Sequence, residues 1–175
     1  MLAPVHPEVA LDLLQKYSAL GEHFDNAQAY VDQATAYLAM NNYQRAVDAY
    51  QRALAREREF PNARTQAAID LPFLIATRRM REHYDAALDL IRQSSKDKDT
   101  LVLFPVDVFK QQASIALISS DVGDQQAARD HAACAIQASK AQTSGFRYHP
   151  TVGLVGSKFD DVQSSLIAIL SPCPA

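Results

Sequence analysis

The chain has 175 residues, which is the length of one domain and enough to bury a core without disulfides or metal. Hydrophobic residues make up 48% and charged residues 21%, as in ordinary soluble globular proteins. The net charge of −3 gives no overall attraction to nucleic acid or anionic membranes, and no apolar run approaches the roughly 18 residues that span a bilayer. We therefore expect no nucleic-acid partner and no membrane partner.

The N-terminal residues and the two cysteines predict a cytoplasmic protein. Residues 1–7 lack the basic start and the apolar stretch of a signal peptide. Cys134 falls within a predicted helix and Cys173 within a Pro-rich tail, so a structural disulfide is not needed. Cys134 is predicted to be a small buried residue of that helix.

The first predicted helix covers residues 7–22. Pro7 suits a first helical turn, Glu8 suits the positive end of the helix dipole, and Gly21 stands where a helix is expected to stop. Spacings of three and four predict one apolar face. That face carries Val9, Ala10, Leu13, Leu14, Tyr17 and Leu20.

Residues 26–58 predict two helices joined by a tight turn at Asn41-Asn42. The helices alternate bulky tyrosines with alanines, and two helices approach closely where small residues of one leave a groove that the other fills. The first helix carries Ala27, Tyr30, Ala34, Tyr37 and Leu38. The second carries Tyr43, Ala46, Val47, Tyr50, Ala53 and Leu54.

Two weaker copies of this helix pair follow, over residues 67–99 and 108–140. Tyr43, Tyr84 and Gln125 stand at an interval of 41 residues, and the residues around them are similar. A fixed period of this size predicts a stacked helical repeat.

Pro72 interrupts the first helix of the second pair and leaves two alternatives. It kinks a longer helix that runs from Asn62, or it opens a helix behind Asp70 as the cap. The helix-forming residues 63–69 favour the kink.

Three further segments fall outside the helix pairs. Residues 96–99 predict a polar connector, which an apolar patch over residues 101–104 follows. Residues 143–156 predict a loop, and its large apolar residues predict that it packs on the body of the protein. Residues 159–170 predict a capping helix with Phe159, Val162, Leu166 and Ile169 on one face.

The order of small and aromatic residues in the first pair resembles the tetratricopeptide repeat (TPR). The matching positions are Tyr30, Ala34, Tyr37, Ala46, Tyr50 and Ala53. The resemblance implies an all-α fold: a TPR-like α-α superhelix of about three helix pairs, with an N-terminal helix and a C-terminal capping helix in a single domain over residues 1–175. It also implies a concave groove that binds a peptide or helix of a protein partner. The 41-residue interval exceeds the usual TPR length of about 34 residues.

No catalytic or cofactor motif is present, so we expect neither an enzyme nor a cofactor. The sequence has no Gly-rich phosphate loop and no Cys-x-x-Cys pair. His131 and Cys134 are three residues apart on one helix, but a zinc site usually needs four ligands, so we expect no metal.

The groove implied by the resemblance would be apolar with a basic rim. Its predicted residues are Val31, Thr35, Leu38, Ala76, Arg79, Lys110 and Leu117. Some family members hold the C-terminal carboxylate of a peptide with a clamp of Lys, Asn and Arg residues. Here only Arg79 and Lys110 are basic and the Asn residues are missing, which argues against this mode of binding. The alternative for the arginines near residue 79 is a solvated helix face.

The predicted loop adds two candidates for binding an acidic partner, Arg147 and His149. The alternative is a loop whose Phe146 and Tyr148 serve only to anchor it.

Taken with the repeat, these residues predict a non-enzymatic interaction module, such as a scaffold or adaptor. The alternative is a ligand- or partner-responsive regulatory domain of a larger protein or complex, with residues 146–155 as its switch. Self-association through the end helices is a further expectation.

Overall fold

All the regular secondary structure is helical within the residues that the computed structural model describes, 2–21, 25–96 and 104–171, and loops join the helices. The all-α prediction is therefore confirmed for those residues, and none of their helices is long and apolar enough to cross a membrane. The α-helices are α1 Pro7–Ala19, α2 Asn26–Ala39, α3 Tyr43–Glu59, α4 Ala67–Thr77, α5 Tyr84–Lys96, α6 Pro105–Val122, α7 Gln125–Ser139 and α8 Asp160–Leu170. Short 3-10 helices cover Arg81–His83 and Ser157–Phe159.

The second helix of each predicted pair begins on the 41-residue interval, because α3, α5 and α7 start at Tyr43, Tyr84 and Gln125. Two of these starts have a side-chain cap. Asn42 Oδ1 accepts a hydrogen bond from the Arg45 amide at 3.3 Å, and Asp124 Oδ1 accepts one from the Ala127 amide at 3.1 Å. Each cap satisfies an amide that the first helical turn leaves without a partner.

The first helix of each pair ends in the same backbone motif. A left-handed residue follows it, namely Asn41 (φ 56°), Arg79 (φ 51°) or Gly123 (φ 89°). The next amide then bonds to the carbonyl five residues earlier, as in a Schellman motif. These bonds join Asn42 to Tyr37 at 2.9 Å, Met80 to Ile75 at 3.0 Å and Asp124 to Ser119 at 2.9 Å.

The middle turn, between α4 and α5, is longer than the other two turns, although α5 still begins on the 41-residue interval. Its left-handed residue, Arg79, comes three residues earlier than the interval from Asn41 requires. The 3-10 helix Arg81–His83 fills those three positions before α5 begins.

Pro72 lies inside α4, so the alternative in which it opens a helix behind Asp70 is wrong. The helix that contains it begins at Ala67 and not at Asn62, because residues 62–66 are not helical. The helix begins later than the helix-forming residues 63–69 suggested, because hydrogen bonds of Thr65 hold the preceding residues in a non-helical conformation. The Thr65 hydroxyl accepts from the Ala67 amide at 3.1 Å, and the Thr65 amide donates to the buried Glu57 carboxylate at 3.0 Å.

The chain divides into two compact units, Met1–Leu74 and Ile75–Ala175, and the boundary falls within α4. In the first unit the predicted burial of Tyr50 is confirmed, since this residue is 3% exposed. Ala27, Ala34, Ala46 and Ala53 are completely buried in the same unit. Burial raises the pKa of the Tyr50 hydroxyl, and the nearby Asp70 carboxylate adds to the rise.

The N-terminal helix is shorter and packs differently from its prediction. It ends at Ala19, and residue 22 lies outside the described residues. Only Ala10 of its predicted apolar face is buried, in a cluster with Ala3 and Ala36. The apolar face is therefore only partly covered, since Val9, Leu13 and Leu20 are exposed.

In the second unit α6 begins at Pro105 rather than at residue 108. Asp107 Oδ2 accepts from the Phe104 amide at 3.1 Å, and Pro105 suits the first turn because it has no N–H to satisfy. The core places Phe109 against Phe159, with 5.4 Å between ring centroids. The predicted apolar face of α8 is confirmed at its centre, where Leu166 is completely buried.

Cys134 is exposed on α7, so its prediction as a buried residue is wrong. The buried face of α7 carries Ala128, Ala132 and Ala135 instead. His131 Nδ1 lies 2.7 Å from Gln112 Oε1. Cys173 and most of the predicted connector and apolar patch, at residues 97–103, lie outside the described residues.

Candidate binding cleft in the second unit

The second unit contains a cleft of about 710 Å³. Four elements form it: the end of α4 with its turn, the end of α6, the start of α7 and one side of α8. Its apolar lining consists of Ala76, Leu117, Val162, Ala168 and Ile169. Its polar lining consists of Thr77, Arg79, Ser120, Asp121, Gln125, Arg129, Asp161, Ser165 and Ser171.

A three-residue network holds one wall of the cleft. Asp121 accepts from Arg81 Nε at 2.6 Å and Nη2 at 2.9 Å, and from the Tyr84 hydroxyl at 3.0 Å. The Arg81 hydrogen bonds lower the pKa of the Asp121 carboxyl against the opposing effect of desolvation, and the Tyr84 bond adds to the decrease. Asp121 is therefore a carboxylate that already accepts three hydrogen bonds, and it fixes the end of α6 to the middle turn.

Arg79 and Arg129 are the two basic groups of the lining. Both are exposed, and neither has a hydrogen-bond or ion-pair partner within the part of the chain that the structure describes. The positive charge of Arg79 also contributes to the low pKa of Asp121, which indicates that the two groups are close. The cleft thus combines an apolar floor with two cationic groups that are available to an anion.

The left-handed backbone of Arg79 is unusual for this residue type. Asparagine and glycine, which tolerate a positive φ, occupy the matching positions at the other two turns. Strained non-glycine residues cluster at functional sites, so this outlier points to the cleft as a place of function.

Three of the nine predicted site residues meet in this cleft: Ala76, Arg79 and Leu117. Ala76 is buried, and it therefore offers little area to a partner. Lys110, Arg147 and His149 are not among the lining residues. Lys110 is half-buried on α6, whereas Arg147 and His149 are exposed on the loop.

The other three predicted residues lie on α2 in the first unit. Val31 is buried, so its side chain is not accessible to a partner. Thr35 and Leu38 are half-buried, and the Thr35 hydroxyl donates to the Val31 carbonyl at 3.0 Å.

Sequence reasoning missed Arg129 and the contribution of α8. Val162 and Ile169 were expected on the packed face of that helix, but both are half-buried and line the cleft. Both residues share a helix face with the buried Leu166, but helical spacing alone does not tell how far the edges of such a face are covered.

The loop over residues 143–156 is ordered by its own hydrogen bonds and packs on α6, as predicted. The Ser144 amide donates to the Pro150 carbonyl at 2.8 Å, and its hydroxyl donates to the His149 carbonyl at 3.0 Å. Phe146 stacks on Phe104 with 5.2 Å between ring centroids, and the Gly153 carbonyl accepts from the Val106 amide at 2.9 Å.

We expect the Asp121 network to make stability depend on pH. A carboxyl whose pKa is lowered by folding contributes stability that is present above its unfolded pKa of about 4 and is lost as the pH falls through its folded pKa. Asp121→Asn should lower the melting temperature by a few degrees near neutral pH, and the difference from the wild type should shrink below about pH 4. Thermal melts from neutral pH to about pH 3 measure this.

Asp130→Asn is the matched control for that pH series, because Asp130 is exposed and, among the described residues, accepts only from Gln126. A difference between wild type and Asp121→Asn that stays constant down to low pH would show that the network contributes no charge-dependent stability.

The sequence matches no protein-family model, and it has no significant match among curated proteins or solved structures.

Proposed function

We propose that the chain is a non-enzymatic, cytoplasmic interaction module that binds a peptide or helix of a protein partner in the cleft of its second unit. The observation that carries the proposal is the pair of unpartnered arginines, Arg79 and Arg129, beside an apolar floor. A partner segment that presents apolar side chains to the floor and an acidic side chain to the arginines would satisfy both features.

The size and composition of the cleft support this occupant. Ligand pockets typically measure roughly 300–1,000 Å³, and this cleft lies within that range. Amphipathic helices bind such grooves through apolar anchors at spacings of three and four, while charged residues along the rim set register and specificity. The exposed Asp161 on the α8 side would favour a basic residue at the opposite end of the same segment.

The TPR relation is part of this proposal. The common 41-residue interval of the second helices and the shared Schellman ends of the first helices support it. In such arrays the first helices of successive pairs commonly present the binding surface, and α4, α6 and α8 all contribute to the cleft.

A pair of adjacent serines on α8 allows a matched test. Ser165 lines the cleft, whereas its exposed neighbour Ser164 does not. Peptides selected from a display library with the wild-type chain should lose binding to Ser165→Trp, because the indole fills the cleft, and should keep binding to Ser164→Trp. Fluorescence polarisation with labelled peptides measures both affinities, and equal binding by the two variants would refute the cleft as the site.

Arg79→Gly separates binding from folding in the same assay. Glycine adopts the left-handed backbone without strain, so stability should stay unchanged or rise by up to about 1 kcal/mol. Peptide affinity should nevertheless fall, since the guanidinium is gone. A variant that keeps full affinity would show that Arg79 does not contact the partner. Thermal stabilisation by a small anion without any peptide binding would favour the regulatory alternative.

A further inference from the structure

The N-terminal helix α1 is apolar on two sides, and only one of them is covered. Ala10 packs with Ala3 and Ala36 in the first unit, and Leu11 packs against this cluster. On the other side Val9, Leu13 and Leu20 are 53%, 51% and 76% exposed. We call these three residues the outer stripe.

The outer stripe is one continuous face rather than a scatter of exposed residues. At about 100° per residue, Val9, Leu13, Lys16 and Leu20 fall on the same side of a helix. Exposed Leu2 and Val5 precede the helix and lie close to the stripe in sequence. Isolated apolar residues are normal on a protein surface, whereas a helix that is apolar on both sides indicates burial on both.

The charged residues beside the outer stripe, Asp12 and Lys16, indicate which kind of molecule could cover it. Lys16 Nζ lies 2.7 Å from Asp12 Oδ2, and both side chains are exposed. In an antiparallel pair of α1 helices with the two-fold axis between Leu13 and Lys16, Val9 meets Leu20 of the second copy. The same register brings Lys16 close to Asp12 of the second copy, so four charges alternate in sign across the axis.

We propose that α1 is a self-association surface on which a second copy of this chain docks antiparallel through the outer stripe. A two-fold interface must be complementary to itself, and the Asp12–Lys16 pair meets that condition only in the antiparallel orientation. A parallel pair would place Lys16 against Lys16, and like charges in contact disfavour that arrangement.

The size of the stripe sets the expected strength of the dimer. A helix of 13 residues is about 20 Å long. One face of such a helix is smaller than the roughly 800 Å² per partner of a standard stable interface. The dimer should therefore be weak and should dissociate on dilution.

Sedimentation equilibrium of the whole chain over a range of concentrations tests the proposal. Val9→Asp should raise the dimer dissociation constant roughly tenfold or more, because it places a charge against Leu20 of the second copy. Val108→Asp is the matched control, since Val108 is an exposed valine near the start of α6 and does not line the cleft. Circular dichroism of each variant establishes that the helices are intact.

A charge exchange tests the antiparallel register. Lys16→Asp should weaken the dimer, and the double variant Asp12→Lys with Lys16→Asp should restore it, because the exchanged pair is again self-complementary. A wild-type chain that stays monomeric at the highest concentration overturns the proposal, as does a dimer that Val9→Asp leaves unchanged. A double variant that remains as weak as the single one overturns the antiparallel arrangement. None of these changes touches the cleft, so they leave the test of peptide binding independent.

Discussion

Replacing Tyr50 with alanine is expected to lower the free energy of unfolding by about 3–5 kcal/mol. Tyr50 is 3% exposed and lies in the alanine-rich core of the first unit, where α2 and α3 pack together. The small neighbours cannot move inward to fill the space that the ring leaves, so the cavity adds to the lost apolar burial. Chemical denaturation followed by circular dichroism measures the loss.

Tyr37→Ala is the matched comparison, because Tyr37 lies on α2 of the same unit but is only half-buried. It should cost clearly less than Tyr50→Ala, since part of the ring is already in water. A loss of less than about 1 kcal/mol for Tyr50→Ala would show that its ring is not a core element.

Gly153→Ala is expected to destabilise the second unit by about 2–4 kcal/mol. Gly153 has a φ of 73°, and a Cβ built there would lie 2.2–2.4 Å from three side-chain atoms of Phe104. The substitution therefore combines left-handed strain with a clash against the ring on which Phe146 stacks. Chemical denaturation gives the loss, and hydrogen exchange of the Val106 amide, which bonds to the Gly153 carbonyl, reports whether the loop has detached.

Gly145→Ala isolates the effect of the clash. Gly145 also has a positive φ, 82°, but nothing lies within 4 Å of its Cβ position. Gly145→Ala should therefore lower the free energy of unfolding only by the cost of a left-handed backbone, about 1–2 kcal/mol. Equal losses for the two alanine variants would mean that Phe104 moves aside freely and that the loop is not anchored there.

Local chemistry made much of the helical layout predictable from the sequence. The three turns carry residues that end or cap helices, such as Asn42 and Asp124, so the starts of α3 and α7 followed from side chains close to them in sequence. The buried position of Tyr50 followed from helical spacing, because one face of α3 holds most of its small residues.

The partial burial of α1 and the exposure of Cys134 have the same physical cause. Helical spacing tells which residues share a face, but it does not tell which face meets a neighbour. On α1 the apolar residues cover two sides of the helix, and the side that carries Ala10 is the one buried in the core. On α7 the alanines set the buried face, and Cys134 lies about 100° away from its neighbour Ala135.

The cleft was only partly predictable because its residues come from elements far apart in the chain. Arg79 was found through a basic cluster, whereas Arg129 has no local signal that separates it from other exposed arginines. The bond between Arg81 and Asp121 spans 40 residues and depends on how α6 ends beside the middle turn. Such pairings follow from tertiary packing, which single-residue patterns do not encode.

The shared helix ends also imply an order of local opening. The same closing hydrogen bond is made at all three turns, but its left-handed residue is Asn41, Arg79 or Gly123. Arginine has the largest intrinsic preference against that backbone, so the middle helix end should open at the lowest free energy of the three. The segment that borders the cleft would then be the part of this scaffold most able to adjust its shape around an incoming chain.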